Sequence, residues 1–498
     1  MSNKWLLPAL AAAFLLAACG EKEEEIIIPA IYTDDGIDDG GGNNEGGEVH
    51  PPYKVNCRKN KNSSWGSYDA YTVDCIKGFT PADDPETDKY GGWKIMHLDN
   101  PDGYFRVVKA AGRWWFVDPD GYIFLSKGLA VLSPGSSERQ QANVVSKFGN
   151  NSGWAKAETG FVRELGFNSA GAWSMVDIIK SIPDPMPYTV ILSPMGSYNG
   201  YLKSSGAEAA GYAAAGWEGY PYDFACVFDP KFDDYVESTI SKAANYRTDK
   251  YLIGYFIDNE IPWKDYALDR CLTKWPSAHI NHQKAQAWLD ARKERIGCTI
   301  ADANDSDKKA FIAYCYDTYL QKVTTALKKY DPNHLFLGDR FNQWSYELVN
   351  EEMFKTAGKY VDVVSINHYQ KWQPDQGAMR NWESWSGKPF LITEFYTKGE
   401  DSGMGNTTGA GWIVQTQNDR GLFYENFVNE LLKSGVCVGW HWFTYMDNDP
   451  TNAGSDSSNI DSNKGIVTWD CQRYDALIEH MSRINSCTYN LARFYQQQ

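Results

Sequence analysis

The chain has 498 residues, with 64 acidic against 48 basic side chains and a formal net charge of −16. Since it has no basic block, it is a poor match for nucleic acid, whose phosphates require clustered lysine and arginine. The length suits a large barrel with inserted loops. Most of the 19 tryptophans, 31 tyrosines and 22 phenylalanines are expected in the core, but tryptophan and tyrosine also stack on sugar rings, which mildly favours a carbohydrate ligand.

The N-terminal residues predict export. Residues 1–18 carry a positive charge at Lys4 and then an apolar run that is too short to span a bilayer and ends in small residues, which is typical of a signal peptide. The letters LAACG around Cys19 resemble the bacterial lipoprotein box, in which the cysteine is lipidated. We therefore expect a cell-envelope lipoprotein held at the outer membrane by its lipid anchor, facing the cell surface or the periplasm. The alternative is an ordinary signal peptide with an incidental cysteine.

Three further segments follow the expected signal peptide. Residues 19–50 are acidic and rich in glycine, so they are expected to form a flexible tether. Residues 51–103 are expected to form an extension that packs on a barrel formed by residues 104–498. No later apolar stretch approaches the length of a transmembrane helix.

Cysteines and histidines do not indicate a metal site. Export permits disulfides, but the sequence leaves their connectivity open. The pairs with the most sensible local loops are Cys57 with Cys75 and Cys271 with Cys298. No Cys/His spacing matches a zinc site, and we expect neither a metal nor another cofactor. Only His279 and His282 lie at close helical spacing, which disfavours a metal-dependent esterase or lyase.

Short apolar segments recur along the chain from Tyr104 onward. The first part predicts a hairpin, with a turn at Asp118–Gly121, that leads into a buried strand. The predicted strands are Phe124–Val131, Phe167–Trp173, Val190–Met195, Tyr251–Ile257, Leu335–Asp339, Val361–Ile366, Pro389–Ile392 and Val436–Trp440.

Helical or long connecting segments separate these strands. The predicted helices include Trp154–Leu165, Asp234–Ala244, Ala310–Lys329, Ser345–Thr356, Asp419–Lys433 and Arg473–Ile484. Eight alternating units predict an α/β fold, a (β/α)8 TIM barrel with a short N-terminal β-rich segment and long loop insertions at the C-terminal face. An open doubly wound sheet is the alternative, but no glycine-rich dinucleotide loop follows the first strand. The insertions at residues 196–229 and 263–300 are expected to wall a cleft.

Two glutamates end otherwise apolar strands. Glu260 follows Asn259 after the fourth strand, and Glu394 ends the seventh. Glutamate is a weak strand former, so its presence there needs a reason. Strands four and seven lie on opposite sides of a barrel mouth, so the two side chains can meet across it. Hydrolysis of a glycoside requires such a pair, one carboxyl to protonate the leaving oxygen and one to act at the anomeric carbon.

These strand ends resemble known motifs. Asn259-Glu260 and Thr393-Glu394-Phe395 are similar to the acid/base and nucleophile motifs of the clan of retaining (β/α)8 glycosidases. The resemblance implies Glu260 as the acid/base and Glu394 as the nucleophile.

A closer resemblance extends from about Tyr104 to Trp469. Within this span the chain is similar to the β-agarase-like enzymes of glycoside hydrolase family 50. The matching segments are GRWWFVDPDGYIFLSKG, IGYFIDNEIPW, HLFLGDRFNQW, DVVSINHY, LITEF and VGWHWFTYMDND. The resemblance implies a retaining β-glycosidase whose polysaccharide or oligosaccharide substrate is a β-galactan of the agarose or porphyran type.

Further polar residues at strand ends are candidates for substrate binding. Asn259 is expected to hydrogen-bond the sugar 2-hydroxyl, or else to cap a turn. His368 and Tyr369 follow strand six, where a hydroxyl or imidazole could hold Glu394 ionised; a structural histidine is the alternative. Arg340, after strand five, could neutralise carboxylate charge or form a salt bridge in the wall.

Four tryptophans and two aspartates complete the candidates. Trp440 and Trp442 end strand eight, and we expect one to floor the central subsite while the other enters the wall. Trp173 and Trp263 are further subsite candidates, although any of these tryptophans could belong to the core. The two aspartates could line the cleft or bind calcium, but their spacing does not specify a site. They are Asp447 and Asp449.

Other functions stay open at this point. The same mechanism could act on a β-glucan, a β-mannan or a host glycan. A non-enzymatic alternative is a surface glycan-binding lipoprotein, which would not need both Glu260 and Glu394.

Overall fold

The computed structural model describes residues 49–84, 86–98, 101–206, 212–215, 218–342 and 346–498. The expected signal peptide, Cys19 and nearly all of the expected tether lie outside the described residues, so the lipid anchor stays a prediction. Within the described ranges, every helix is too short or too polar to cross a bilayer.

The bounds of the regular elements are as follows. The strands, in chain order, are β1 Tyr53–Arg58, β2 Gly66–Ala70, β3 Trp93–His97, β4 Arg106–Ala110, β5 Arg113–Val117, β6 Tyr122–Phe124, β7 Ser126–Ala130, β8 Ser169–Ala170, β9 Tyr188–Leu192, β10 Tyr212–Ala215, β11 Glu218–Pro221, β12 Leu252–Ile257, β13 Leu335–Phe336, β14 Phe341–Asn342, β15 Val364–Asn367, β16 Phe390–Glu394, β17 Thr397–Gly399, β18 Trp412–Val414 and β19 Cys437–Phe443. The α-helices are α1 Glu138–Phe148, α2 Asn151–Glu164, α3 Val176–Ile179, α4 Pro194–Ser205, α5 Pro230–Ile240, α6 Ala267–Lys274, α7 Ile280–Arg292, α8 Asp305–Tyr330, α9 Glu351–Gly358, α10 Gln376–Ser386, α11 Gln417–Lys433, α12 Asp475–Asn485 and α13 Thr488–Gln496.

A parallel sheet forms the barrel in the order β13-β12-β9-β8-β7-β19-β16-β15-β14. The two terminal strands of this order, β13 and β14, belong to one short stretch of chain. The first pairs with β12 and the second with β15, so this stretch closes the sheet into a ring. The (β/α)8 prediction is confirmed, and each predicted strand overlaps a strand of the ring.

The fifth barrel strand is divided because its middle leaves the extended conformation. Gly338 and Arg340 both have positive φ angles, of 82° and 58°, a region that strands do not use. The sequence predicted one continuous strand here, since a left-handed arginine carries no compositional signal.

Two hydrophobic cores hold the barrel. One lies between the strands and the surrounding helices. The other fills the ring and combines barrel residues such as Phe256, Leu337 and Leu391 with Phe116 and Phe124 of the N-terminal hairpin. Since Phe124 stands directly before the first barrel strand, the hairpin packs at the N-terminal end of the ring. The C-terminal ends of the strands are therefore the ends that remain available for a site.

The N-terminal extension contributes to two smaller sheets. Strands β1 and β2 join β18 and β17, which follow the seventh barrel strand, and β3 joins β6, β5 and β4. Strands of residues 51–103 thus pair with β18 and β6, which lie outside the barrel sheet in segments next to its strands.

Several local predictions differ from the structure. Of the helix expected at Ser345–Thr356, Ser345 lies outside the described residues, Tyr346–Val349 form a 3-10 helix, and the α-helix begins at Glu351, where Asn350 caps it. The insertion at residues 196–229, expected as a long loop, contains most of α4 and the hairpin β10–β11. All nine described cysteines are free thiols, so neither expected disulfide is present among them.

Candidate active site

Both strand-end glutamates line one cavity of about 420 Å³ at the C-terminal end of the barrel. Glu394 is the last residue of β16 and is buried, whereas Glu260 follows β12 and is partly exposed to the cavity. The remaining lining residues are Val131, Trp173, Asn259, Asn342, Tyr369, Tyr396, Gly409, Ala410, Phe443, Asn448, Asp456, Ser458, Asn459 and Lys464.

The backbone around the cavity is strained where several barrel strands end. Non-glycine residues adopt positive φ angles just after strands one, two, four and six, and within the divided fifth strand. They are Val131, Trp173, Asp258, Glu260, Arg340 and Gln370. Such positions cost on the order of 1–3 kcal/mol each and are concentrated at functional sites.

Asp258 holds the strained turn that carries Glu260. Its carboxylate accepts hydrogen bonds from the backbone N–H groups of Met195 and Gly196, at 3.0 and 2.9 Å, at the first turn of α4. The hydroxyl of Tyr319 donates to the same carboxylate at 2.9 Å. The end of strand four is therefore tied to the helix that follows strand three and to α8.

Glu394 has two side-chain donors. Arg340, which is fully buried, forms an ion pair through Nη2 with Oε1, and Tyr369 donates its hydroxyl to Oε2 at 2.5 Å. Arg340 also donates through Nε to Oδ1 of Asn259 at 2.7 Å, and its guanidinium carbon lies 4.6 Å from the centre of the Trp173 ring. The structure thus brings together Asn259, Arg340, Tyr369, Trp173 and both glutamates, as expected from their positions at strand ends.

Asn367, the last residue of β15, was missed by sequence analysis. Its Nδ2 donates to Oε1 of Glu260 at 2.8 Å and to Oδ1 of Asn259 at 3.2 Å. Its Oδ1 accepts from the hydroxyl of Thr393 at 2.7 Å, which fixes the orientation of the amide. The signal that identified the glutamates, a polar residue closing an apolar strand, was also present at Asn367.

The two glutamates have unequal electrostatic surroundings. Burial, and then the negative charge of Glu394, raise the pKa of Glu260 to about 7, although the Asn367 hydrogen bond and Arg340 oppose the shift. Burial also raises the pKa of Glu394, but there the charge of Arg340 and the Tyr369 hydroxyl act in the opposite direction. The surroundings therefore favour the ionised form more at Glu394 than at Glu260.

The cavity wall has two parts. The strand-end half consists of the lining residues Asn259, Glu260, Tyr369 and Glu394, together with Arg340 and Asn367, which hydrogen-bond to them. The loop half comes from the segments after strands seven and eight and consists of Gly409, Ala410, Asn448, Asp456, Ser458, Asn459 and Lys464. Sequence analysis identified most of the strand-end half and none of the loop half.

The expectation that Trp440 or Trp442 floors a subsite is wrong. The Trp440 indole donates to the Tyr424 hydroxyl at 2.9 Å, and the Trp442 indole donates to the carbonyl of Lys464 at 2.8 Å. Both are fully buried. Residues two apart in a strand point to the same side, here toward α11, while His441 between them points into the ring and contacts Ser126.

Two further residues expected to bind substrate are instead packed in the protein interior. Trp263 donates its indole N–H to Asp339 at 2.8 Å and packs on the rings of Tyr316 and Tyr319. His368 packs against Trp382 and Phe427, and burial lowers its pKa to about 3, so it is neutral. Neither ring nitrogen of His368 has a hydrogen-bond partner in the described part of the chain. Neither residue lines the cavity.

The two aspartates after strand eight stabilise loops. Asp447 accepts hydrogen bonds from Asn463, Tyr474 and two backbone N–H groups. Asp449 accepts from Ser137, Arg139 and Thr451. The described residues contain no group of three or more metal-ligating side chains suitably placed for a cation.

The two insertions do not wall the cavity within the described ranges. None of its lining residues comes from the described parts of residues 196–229 or from residues 263–300. The loops after strands seven and eight take that place.

Comparison with known proteins gives a consistent pattern. No family model matches the chain. Beta-agarase B of Vibrio sp. (strain JT0107) is 25% identical over an alignment 505 positions long, which covers 81% of this chain and 50% of that protein. Beta-agarase A of the same organism is 25% identical over an alignment 489 positions long, which covers 78% of this chain and 45% of that protein. The chain spans about half the length of these curated relatives.

Solved structures share the fold. The crystal structure of BpGH50 is 28% identical, with a TM-score of 0.76, and the match covers 89% of this chain and 96% of that one. The structure of an agarase, AgWH50C, is 23% identical, with a TM-score of 0.66 and coverage of 83% and 67%. An exo-beta-agarase structure has a TM-score of 0.67 at 21% identity, covering 82% and 68%.

Proposed function

We propose that this chain, which resembles the β-agarase-type glycoside hydrolases of family 50 in sequence and fold, is a retaining β-glycosidase with Glu260 as acid/base and Glu394 as nucleophile. The observation that carries the proposal is the unequal pair of glutamates in one cavity. Glu394 is contacted by two groups that favour its ionised form, whereas the pKa of Glu260 is raised to about 7, so that it is partly protonated at neutral pH. This is the division of roles that double displacement requires.

The first step uses both protonation states. Glu260 transfers its proton to the glycosidic oxygen as the bond between that oxygen and the anomeric carbon breaks. The Glu394 carboxylate attacks the anomeric carbon from the opposite face and forms a glycosyl ester, and the leaving sugar departs as an alcohol. Arg340 and Tyr369 keep Glu394 ionised and correctly oriented before the attack.

The second step reverses the role of Glu260. Once Glu394 is esterified its negative charge is gone, so the pKa of Glu260 falls and the residue becomes a base. Glu260 removes a proton from water, whose oxygen attacks the anomeric carbon and breaks the ester bond. Glu394 leaves as a carboxylate and Glu260 is again protonated, so that both groups return to their starting states.

Asn259 and Trp173 are proposed to hold the sugar. The Oδ1 atom of Asn259 already accepts from Arg340 and Asn367, so its Nδ2 is the atom that can donate to the 2-hydroxyl, a contact that strengthens in the transition state. Trp173 lines the cavity beside Arg340, where its ring offers an apolar surface to a pyranose.

A β-galactan of the agarose or porphyran type is the proposed substrate. The support is the resemblance to proteins named beta-agarase. A panel of algal, plant and host polysaccharides, followed by product size over time, tests this choice against a β-glucan, a β-mannan or a host glycan. The same product sizes also show whether the polysaccharide is cleaved internally or from one end.

The decisive experiment replaces the nucleophile. Glu394→Gln is expected to lower kcat by a factor of about 10³ or more while oligosaccharide binding, measured by calorimetry, is retained. The matched control is Glu383→Gln, which alters a glutamate outside the cavity that accepts from Lys109 and Trp114 and should leave kcat unchanged. Proton NMR of the first product should show the β anomer. Unchanged turnover in Glu394→Gln, or an α anomer, would remove the proposal.

A further inference from the structure

A buried lysine of the loop half faces the catalytic cavity. Lys464 is 4% exposed and lines the cavity together with Glu260 and Glu394. Its Nζ donates to Oδ1 of Asn459 and lies 5.1 Å from the centre of the Phe443 ring. Among the described residues, no carboxylate forms an ion pair with it.

Asp447, the carboxylate with the largest electrostatic effect on Lys464, is already occupied by other donors. Both backbone N–H groups of Lys464 and Gly465 donate to Oδ1 of Asp447, each at 2.7 Å. The other oxygen, Oδ2, accepts from Tyr474 at 2.8 Å and from Asn463 at 3.0 Å. Asp447 therefore fixes the backbone that carries Lys464 and uses its hydrogen-bonding capacity in doing so.

The acidic groups around the cavity act on the lysine without forming an ion pair with it within the described ranges. Glu394 is instead paired with Arg340, and Glu260, whose pKa is raised to about 7, is only partly ionised at neutral pH. Burial lowers the pKa of Lys464 to about 8, while the negative charges of Asp447, Asp456 and Glu394 oppose the shift. At pH 7 the side chain is thus mainly an ammonium ion.

A buried ammonium without an ion-pair partner lowers the stability of the protein unless a ligand binds it. A buried charge is normally paired and fully hydrogen-bonded. Lys464 has three donor hydrogens, and its one hydrogen bond within the described residues goes to the neutral amide of Asn459. Two donors remain for a bound molecule that presents negatively charged oxygen.

We propose that Lys464 binds an anionic substituent, a sulfate ester or a carboxylate, on the sugar held beside Glu394. The inference rests on the proposed function and narrows its substrate to acidic rather than neutral galactans. A lysine ammonium is a compact point charge that suits either oxyanion. Lys464 is then a specificity-determining residue, outside the proton and bond exchanges of the two glutamates.

The test compares matched oligosaccharides that differ only in one substituent. Neutral agarose-type, 6-O-sulfated porphyran-type and uronate-bearing oligosaccharides of equal length are assayed with the wild type, Lys464→Met and Lys464→Arg. The wild type should prefer one anionic substrate, and Lys464→Met should lower kcat/KM on that substrate by about 30-fold or more but on the neutral one by about threefold or less. Lys464→Arg should preserve most of the preference. Which anionic substrate is preferred identifies the substituent.

A second buried lysine supplies the control. Lys127→Met removes an ammonium that donates to the carbonyl of Asn485 at 2.9 Å, away from the cavity, and should leave the ratio of anionic to neutral kcat/KM unchanged. If Lys464→Met fails to fold, two measurements on the wild type still test whether Lys464 binds an anion. The substrate preference should weaken with added sodium chloride, and inorganic sulfate should inhibit competitively.

Three outcomes overturn the inference while the proposed function survives. A wild type that prefers the neutral oligosaccharide would show that Lys464 contacts a hydroxyl. An equal loss of kcat/KM on all substrates in Lys464→Met would show that it acts only on the charge of Glu394. Absence of inhibition by sulfate, together with no anionic preference, would exclude an anion site. By contrast, cleavage of none of the substrates by the wild type would count against the glycosidase itself.

Discussion

The two halves of the cavity wall are built in different ways. The strand-end half is carried by barrel strands and the turns directly after them, and its side chains hydrogen-bond one another across strands four to seven. The loop half is carried by two long segments that hydrogen-bond within and between themselves, as in the contacts of Asn448 with Asn459 and of Gly409 with Ser458. We infer that the first half fixes the chemistry and the second selects the substrate. Variants can test this division.

The largest effect is expected for the acid/base. Glu260→Ala removes the proton donor, and kcat should fall by about 10²–10⁴-fold on substrates with poor leaving groups. On activated substrates, azide should restore part of the rate, because it needs no base to attack the glycosyl ester. Kinetics with and without azide provide the measurement, and a variant that azide cannot rescue would argue against this assignment.

A smaller effect is expected at the ion pair on the nucleophile. Arg340→Met removes the positive charge that keeps the pKa of Glu394 down. Since Glu394 must be ionised in the free enzyme, the acidic limb of the kcat/KM profile should move to higher pH, and the maximum should fall by about 100-fold, as for loss of one partner of a buried ion pair. If the acidic limb of the kcat/KM profile stayed at its wild-type pH, Arg340 would have only a structural role and would not control the pKa of Glu394.

The smallest effect is expected at Asn367. Asn367→Leu removes the amide that favours ionised Glu260, so the pKa of Glu260 should rise further. The basic limb, expected near pH 7 in the wild type, should then shift upward by about half to one unit, equivalent to one hydrogen bond of about 1 kcal/mol. Thr393→Val removes the hydroxyl that orients the Asn367 amide. This variant should shift the basic limb in the same direction by a smaller amount.

The loop half provides the control for the pH profiles. Asn448 donates to Asn459 at 3.0 Å and lies in the cavity wall. Asn448→Ala should change KM while both limbs stay within about 0.2 units of their wild-type positions. If it moved a limb as far as Asn367→Leu does, the two halves would not be functionally separate.

The same contrast explains what the sequence could predict. Glu260, Glu394, Arg340 and Tyr369 stand at the ends of buried apolar strands, where strand periodicity and barrel geometry together place them at one mouth. Lys464 lies in a segment without regular periodicity after strand eight. Its position depends on the hydrogen bonds around Asp447, which no local pattern reveals.

The tryptophans illustrate a second limit. A tryptophan at a strand end is compatible with a sugar platform or with a buried wall, and composition does not separate them. Trp173 lines the cavity because its backbone turns into the left-handed region. Trp440 and Trp263 find buried acceptors in Tyr424 and Asp339, partners that are remote in sequence. The prediction failed where the deciding contact was tertiary.

The non-glycine residues with positive φ angles around the cavity also limit which substitutions can be used to stabilise the protein. Replacing Gln370 by glycine would relieve backbone strain, because glycine adopts positive φ angles without steric cost. The same relaxation would let the turns that carry the reacting groups sample other geometries, and even 1 Å of displacement is costly to a rate. Substitutions meant to raise the thermal stability of this protein should therefore be made in the outer helices. The residues with positive φ angles around the cavity should be left unchanged.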